Sequence, residues 1–271
     1  MIRNTLLALI FLSTSVFAAD YSDDIHKNDN KWMQFNLMGA FNELPAFPGE
    51  STPAEGSNHD YLEMEFGGRS GLFDLYGYVD VFNLTSEKSS QKYGAPKMFM
   101  KFAPRLSLDA LTGVDMSFGP VQELYIATVA EWDGMTDEDP FSVNKQKIGV
   151  GSDIILPWFG KVGFNLYGTY DSNRSDWNGY QVSTNWFKPF VFFDGGSFIS
   201  YQGYIDYQFG MKKEYSTASA GGVMFNGIYW HSDDFAVGYG LKIFKDVYGI
   251  KDGDGVESTG LGHYISVTYK F

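Results

Sequence analysis

The sequence predicts an all-β fold: a transmembrane antiparallel β-barrel of twelve strands around a narrow lumen. Three observations predict it. Apolar and polar side chains alternate with a period of two along most of the chain, as in strands whose two faces meet different solvents. The alternating segments are mostly about 9–12 residues long, enough to cross a bilayer at a tilt. The connections between them also sort by length, odd against even, which a soluble sandwich has no reason to do.

The chain opens with one positive charge at Arg3, an apolar run from Leu6 to Leu12, and Val16-Phe17-Ala18 ahead of Ala19. Charge, apolar core and small-x-small site in that order predict a signal peptide over 1–18, too short to span a membrane. The alternative is an ordinary N-terminal core helix. Residues 19–271 then form a single barrel domain that leaves the cytoplasm.

Strands are predicted over 31–41, 60–67, 72–82, 97–108, 121–132, 145–155, 161–171, 178–187, 196–209, 222–230, 235–245 and 261–271. In the second, Leu62, Met64 and Phe66 share one face, and Tyr61, Glu63 and Glu65 the other. In the third, Phe73, Leu75, Val79 and Val81 oppose Asp74, Tyr76, Tyr78, Asp80 and Phe82. Met98, Met100, Phe102, Leu106 and Leu108 oppose Lys101, Arg105 and Ser107 in the fourth. Leu124 and Ile126 oppose Glu123, Tyr125 and Glu131 in the fifth, and Val162, Phe164 and Leu166 oppose Asn165, Tyr167 and Asp171 in the seventh. The last sets Leu261, Ile265, Val267, Tyr269 and Phe271 against Tyr264, Ser266, Thr268 and Lys270. Odd-numbered connections average about 13 residues and even-numbered ones about 7. Short periplasmic turns and long external loops produce that sorting when both termini are periplasmic. The long external connections include Asn42–His59, Leu84–Pro96 and Asp246–Gly260. Lipid cannot satisfy a free backbone N–H or C=O, so the sheet must close. Trp32, Tyr180, Trp186, Tyr201, Tyr207, Tyr229, Tyr239 and Tyr269 are the expected interfacial aromatics. A secreted sandwich or soluble barrel is the alternative fold.

Composition removes other classes. The 271 residues contain no cysteine, which excludes disulfides, thiolate metal sites and Cys nucleophiles. Acids outnumber bases 33 to 20, for a net charge of -13, the wrong sign for a nucleic-acid partner. A mean hydropathy of -0.21 fits a barrel with a polar lumen. Beyond the leader no apolar run reaches 18 residues, which excludes a helical membrane protein. His26, His59, His231 and His263 lack metal-ligand spacing. Asp252-Gly253-Asp254-Gly255 departs from a calcium loop at its fifth position and reads as a solvated turn. His231-Ser232-Asp233 sits in a predicted turn with neighbours on opposite faces. Ser183, Ser200 and Asn185 face inward with no base beside them in sequence. No catalytic residue, metal or cofactor is expected.

By register, Glu63, Glu65, Asp74, Tyr76, Tyr78, Asp80, Phe82, Phe99, Lys101, Arg105, Glu123 and Tyr125 point into the lumen. Acids of strands two and three are expected to pair with bases of strand four. The aromatics either pack to fill a small lumen or form a stacking track for a flat ligand.

Tyr61-Leu62-Glu63-Met64-Glu65, Phe73-Asp74-Leu75-Tyr76-Gly77-Tyr78-Val79-Asp80 and Pro104-Arg105-Leu106-Ser107-Leu108-Asp109, followed by Ser117-Phe118-Gly119-Pro120, form an ordered set. The set resembles the Tsx-like family of nucleoside-specific channel-forming outer-membrane proteins. From Asp24-Ile25-His26-Lys27 to Lys270-Phe271 the chain is similar to the OmpK branch. The resemblance implies a narrow, ligand-selective outer-membrane pore with nucleosides as permeants. It also implies outer-membrane lipid and lipopolysaccharide around the barrel, and the barrel-assembly machinery reading the terminal Phe271. The alternative is a structural or general-diffusion barrel whose external loops serve phage. A barrel phospholipase is disfavoured, because no His-x-Ser occurs on a strand.

Overall fold

The computed structural model describes residues 21, 24–47, 58–135, 142–253 and 255–271. The expected signal peptide lies outside them. The described chain is an antiparallel barrel of twelve staves with almost no helix. Its strand segments are β1 Asn30–Phe41, β2 His59–Ser70, β3 Phe73–Phe82, β4 Met98–Phe102, β5 Arg105–Ser107, β6 Val121–Trp132, β7 Asn144–Leu156, β8 Gly160–Asp171, β9 Asp176–Phe192, β10 Phe198–Phe209, β11 Ala220–His231, β12 Phe235–Lys245 and β13 Gly260–Lys270. Consecutive staves pair, and β1 closes the cylinder on β13, from Gln34↔Lys270 to Phe41↔His263.

β4 and β5 are two halves of one stave, since both pair with β3 and β6. The continuous strand expected over 97–108 breaks at Ala103-Pro104, where proline has no N–H to give the ladder. Leu108, expected on the lipid face of that strand, instead opens α1 Leu108–Thr112. Ser107 caps this helix by accepting from the Ala110 N–H at 3.0 Å, and Gly113 ends it at φ 67. The eighth stave, β9, runs past the expected 187 to Phe192. It carries Pro189 through a register shift beside Ile199 and Ser200 that leaves one residue out of the ladder.

Burial is inverted relative to a soluble fold. Val150 is 62% exposed and Leu37 52%, with Ile148, Ile265 and Val267 also on the outside. Ser200, Gln181, Asn165 and Glu123 are buried within the wall. An apolar exterior around a polar interior is the arrangement lipid demands. The chain ends share one rim with the short connections 71–72, 157–159, 193–197 and 232–234, and with the longer 108–120 that carries α1. At the opposite rim the chain leaves the wall after Phe41, Phe82, Trp132, Asp171, Phe209 and Lys245.

Candidate functional site: the lumen

On β2 and β3 the inward positions are Tyr61, Glu63 and Glu65 opposite Phe82, Asp80 and Tyr78. Asn36 and Gln34 of β1 each donate to a carboxylate at 2.6 Å, the first to Glu63 and the second to Glu65. Tyr76 donates its hydroxyl to Glu65 at 2.8 Å. Thr268 holds Asn36 in place by donating to its Oδ1 at 2.6 Å. Among the described residues no basic nitrogen lies within 4.0 Å of Glu63, Glu65 or Asp80. The expected pairing of these acids with strand four therefore fails. The physical reason is register: Tyr78 stands opposite Lys101 and Phe99 opposite Asp80, so no base of that stave faces these acids. Lys101 crosses the lumen instead, to Asp206 of β10 at 3.4 Å, and approaches Glu131 of β6 at 3.9 Å.

Asp74 does pair as expected, with Arg105 at 2.9 Å. Arg105 also reaches Asp153 at 3.0 Å and lies 4.0 Å from the centre of the Tyr125 ring. Towards the rim that carries the chain ends, Arg69 bonds Glu123 at 2.6 Å and donates to the Tyr125 hydroxyl at 3.1 Å. Ser107 donates to Glu123 through a short bond. Tyr21 adds its hydroxyl at 2.8 Å and stacks its ring over Arg69. Burial and the neighbouring Glu123 carboxylate push the Tyr21 hydroxyl up, so it stays a donor. At the opposite rim Lys242 bonds Glu43 at 3.1 Å and the Tyr264 hydroxyl at 3.1 Å.

The rings form contacts along the wall. Tyr76 lies 6.1 Å from Tyr78, and Tyr78 lies 6.0 Å from Phe99. Phe82 sits apart from these three, packed on Tyr61 and His59 at 5.7 Å each. Trp32, expected in the interfacial girdle, faces inward and continues the row at 6.3 Å from Tyr76. Gly67 makes this possible, because a Cβ there would meet the Trp32 ring at 2.7 Å. Tyr229 is also removed from the girdle: it is 6% exposed and points inward. Across the lumen Tyr204 stacks on Phe225 at 5.8 Å.

Sequence reasoning missed Tyr61, Glu131, Lys147, Asp153, Asp206 and Lys242 as named lumen groups, although strand alternation places each on the inner face. It also missed the base beside Ser200. His231 Nε2 is 2.8 Å from the Ser200 hydroxyl, because β10 and β11 bring the two together across the wall. Both are buried, Ser200 fully. Among the described residues no three His, Asp or Glu side chains gather as a metal site.

A closed cylinder with a lipid-compatible exterior and a charged, aromatic interior defines an outer-membrane channel former. Comparison with known proteins narrows this. Residues 27–271 match the family described as nucleoside-specific channel-forming protein, Tsx. The chain is 73% identical to outer membrane protein OmpK of Vibrio parahaemolyticus serotype O3:K6, over 99% of this chain and all of that protein. It is 30% identical to nucleoside-specific channel-forming protein Tsx of Salmonella typhimurium, over 79% of this chain and 82% of that protein. It is 29% identical to the protein of that name from Klebsiella pneumoniae, over 99% of this chain and all of that protein. The chain belongs to the Tsx family, on its OmpK branch.

Proposed function

We propose that this barrel lets nucleosides diffuse passively and selectively across the outer membrane. The observation that carries the reading is the row Trp32, Tyr76, Tyr78 and Phe99 beside hydrogen-bonding groups of both signs. A base can stack on successive rings, each contact worth roughly 1–3 kcal/mol. Glu63, Glu65, Asp74, Asp80 and Glu123 accept from ribose hydroxyls and base amines; Lys101 and Arg105 donate to base carbonyls. Tyr125, held between Arg69 and Arg105, shapes the exit, and Phe82 lines the entrance next to His59. Many weak sites in series suit conduction better than one tight site.

Catalysis is not part of this reading. The Ser200–His231 pair is enclosed, and no carboxylate bonds His231 among the described residues, so the orienting third group of an acyl-transfer site is lacking there. Lipopolysaccharide around the barrel, recognition of Phe271 by the assembly machinery, and phage use of the external loops are compatible proposals.

Single-channel recording tests the track. Adenosine and thymidine should each block ion current saturably in the wild type. Tyr76→Ala should weaken that block by the equivalent of roughly 1–3 kcal/mol. A general pore would show no saturable block in either protein.

A further inference from the structure

The acids of the lumen divide into two groups. Asp74, Glu123, Glu131, Asp153 and Asp206 each bond an Arg or Lys. Glu63, Glu65 and Asp80 bond none. Glu63 and Glu65 are held by neutral amides and by Tyr76. Asp80 faces Glu63 across the β2–β3 pair, where the two carboxyl groups come within hydrogen-bond reach of each other, and it is only 8% exposed, with no N–H or hydroxyl donating to its Oδ1. The lysines whose field reaches Asp80 are engaged elsewhere, Lys242 at Glu43 and Lys92 over the Phe82 ring at 4.8 Å.

Acidic groups facing the lumen without a fixed cation are balanced either by a shared proton or by a cation drawn from solution. Small metal ions would satisfy charge alone. This wall offers more, because the carboxylates alternate with rings: Tyr61 precedes Glu63 on β2, and Tyr78 stands opposite Glu65 on β3. Aromatic faces attract an ammonium group, more so where water is partly excluded. Carboxylate acceptors and ring faces together match the N–H donors and the diffuse positive charge of an organic amine.

We propose that the wall of Glu63, Glu65 and Asp80 with Tyr61, Tyr76 and Tyr78 is a binding site for small organic cations, and that the channel conducts alkylamines as a second class of permeant. The claim does not depend on nucleosides being conducted. A nucleoside is neutral and gives no reason for three acidic groups to stand without a basic partner.

The test uses the full barrel in planar bilayers, with heat-modified electrophoretic mobility confirming that each variant is folded. Under a potassium chloride gradient the wild type should show the zero-current potential of a cation-preferring pore. Putrescine should block the current saturably. Asp80→Asn and Glu63→Gln should each weaken putrescine block by about tenfold or more, the loss of one hydrogen bond to a charged group. If Asp80→Asn does not fold, Glu65→Gln replaces it with the same expectation. Anion preference, absence of putrescine block, or block unchanged in folded variants would overturn the proposal. Lost nucleoside block alongside retained putrescine block would sink only the nucleoside reading.

Discussion

At the residue scale, a charge in this protein is defined by what it meets. His26 and Asp29 precede the barrel, 2.9 Å apart on an exposed stretch, and the Asp29 carboxylate also accepts from the Gly71 N–H at 2.7 Å. The hydrogen bond to Asp29 raises His26; the Gly71 N–H, then His26, lowers Asp29. The signs give a window. A raised histidine stabilises below its ordinary pKa and loses that contribution as pH rises through the shifted value. A lowered aspartate loses its contribution as pH falls through its own shifted value. The pair should therefore tie the N-terminal segment to the 71–72 turn most firmly between the two. An NMR titration of His26 should give a pKa above the ordinary one, and Asp29→Asn should return it towards that value. An unshifted His26 in the wild type would show that the contact does not persist in solution.

At the scale of the strand, the alternation of side chains fixes two different costs for neighbouring residues. Leu75 sits on the lipid side of β3 and Asp74 on the lumen side, where Arg105 holds it. Leu75 lies three residues from the 71–72 turn, towards the membrane interface, so Leu75→Arg should destabilise the barrel by roughly 1–2 kcal/mol, below the midplane cost. Asp74→Asn should cost less, because Arg105 keeps Asp153 at 3.0 Å, and should act mainly on conduction. Urea titration in lipid vesicles compares the two, and a reversed order would put β3 in the opposite register. This level of structure was legible in the sequence, since period two and loop parity need only local information. The break at Pro104 and the extension of β9 were not, because they depend on what the neighbouring staves can pair. Trp32 was misplaced although its own strand signals the side, since it shares parity with the inward Gln34 and Asn36; what the strand does not show is that Gly67 leaves room for the ring.

At the scale of the whole molecule, the lumen is organised by contacts that close across the cylinder, and these were the least legible of all. Lys101 and Asp206 are 105 positions apart, on nearly opposite staves, yet they meet at 3.4 Å. Alternation predicts that Lys101 points inward; only closure of the twelve-stave ring determines which acid it finds. The pair bridges the lumen from nearly opposite staves. Both partners are mostly buried, 16% and 23% exposed, so this is not a weak surface pair, and separating it calls for replacement contacts to both charges. Asp206 is also steadied by the Ser183 hydroxyl at 2.5 Å, and Glu131 by Lys147 at 2.7 Å, so the wall should survive loss of the lysine. Lys101→Ala should then leave the barrel folded, raise small-ion conductance, and shift permeation towards cations, since it removes one positive charge between two acids. Single-channel conductance and zero-current potential read both effects. Unchanged values would mean that the pore's resistance lies elsewhere, with the rim contact between Lys242 and Glu43 the next place to look.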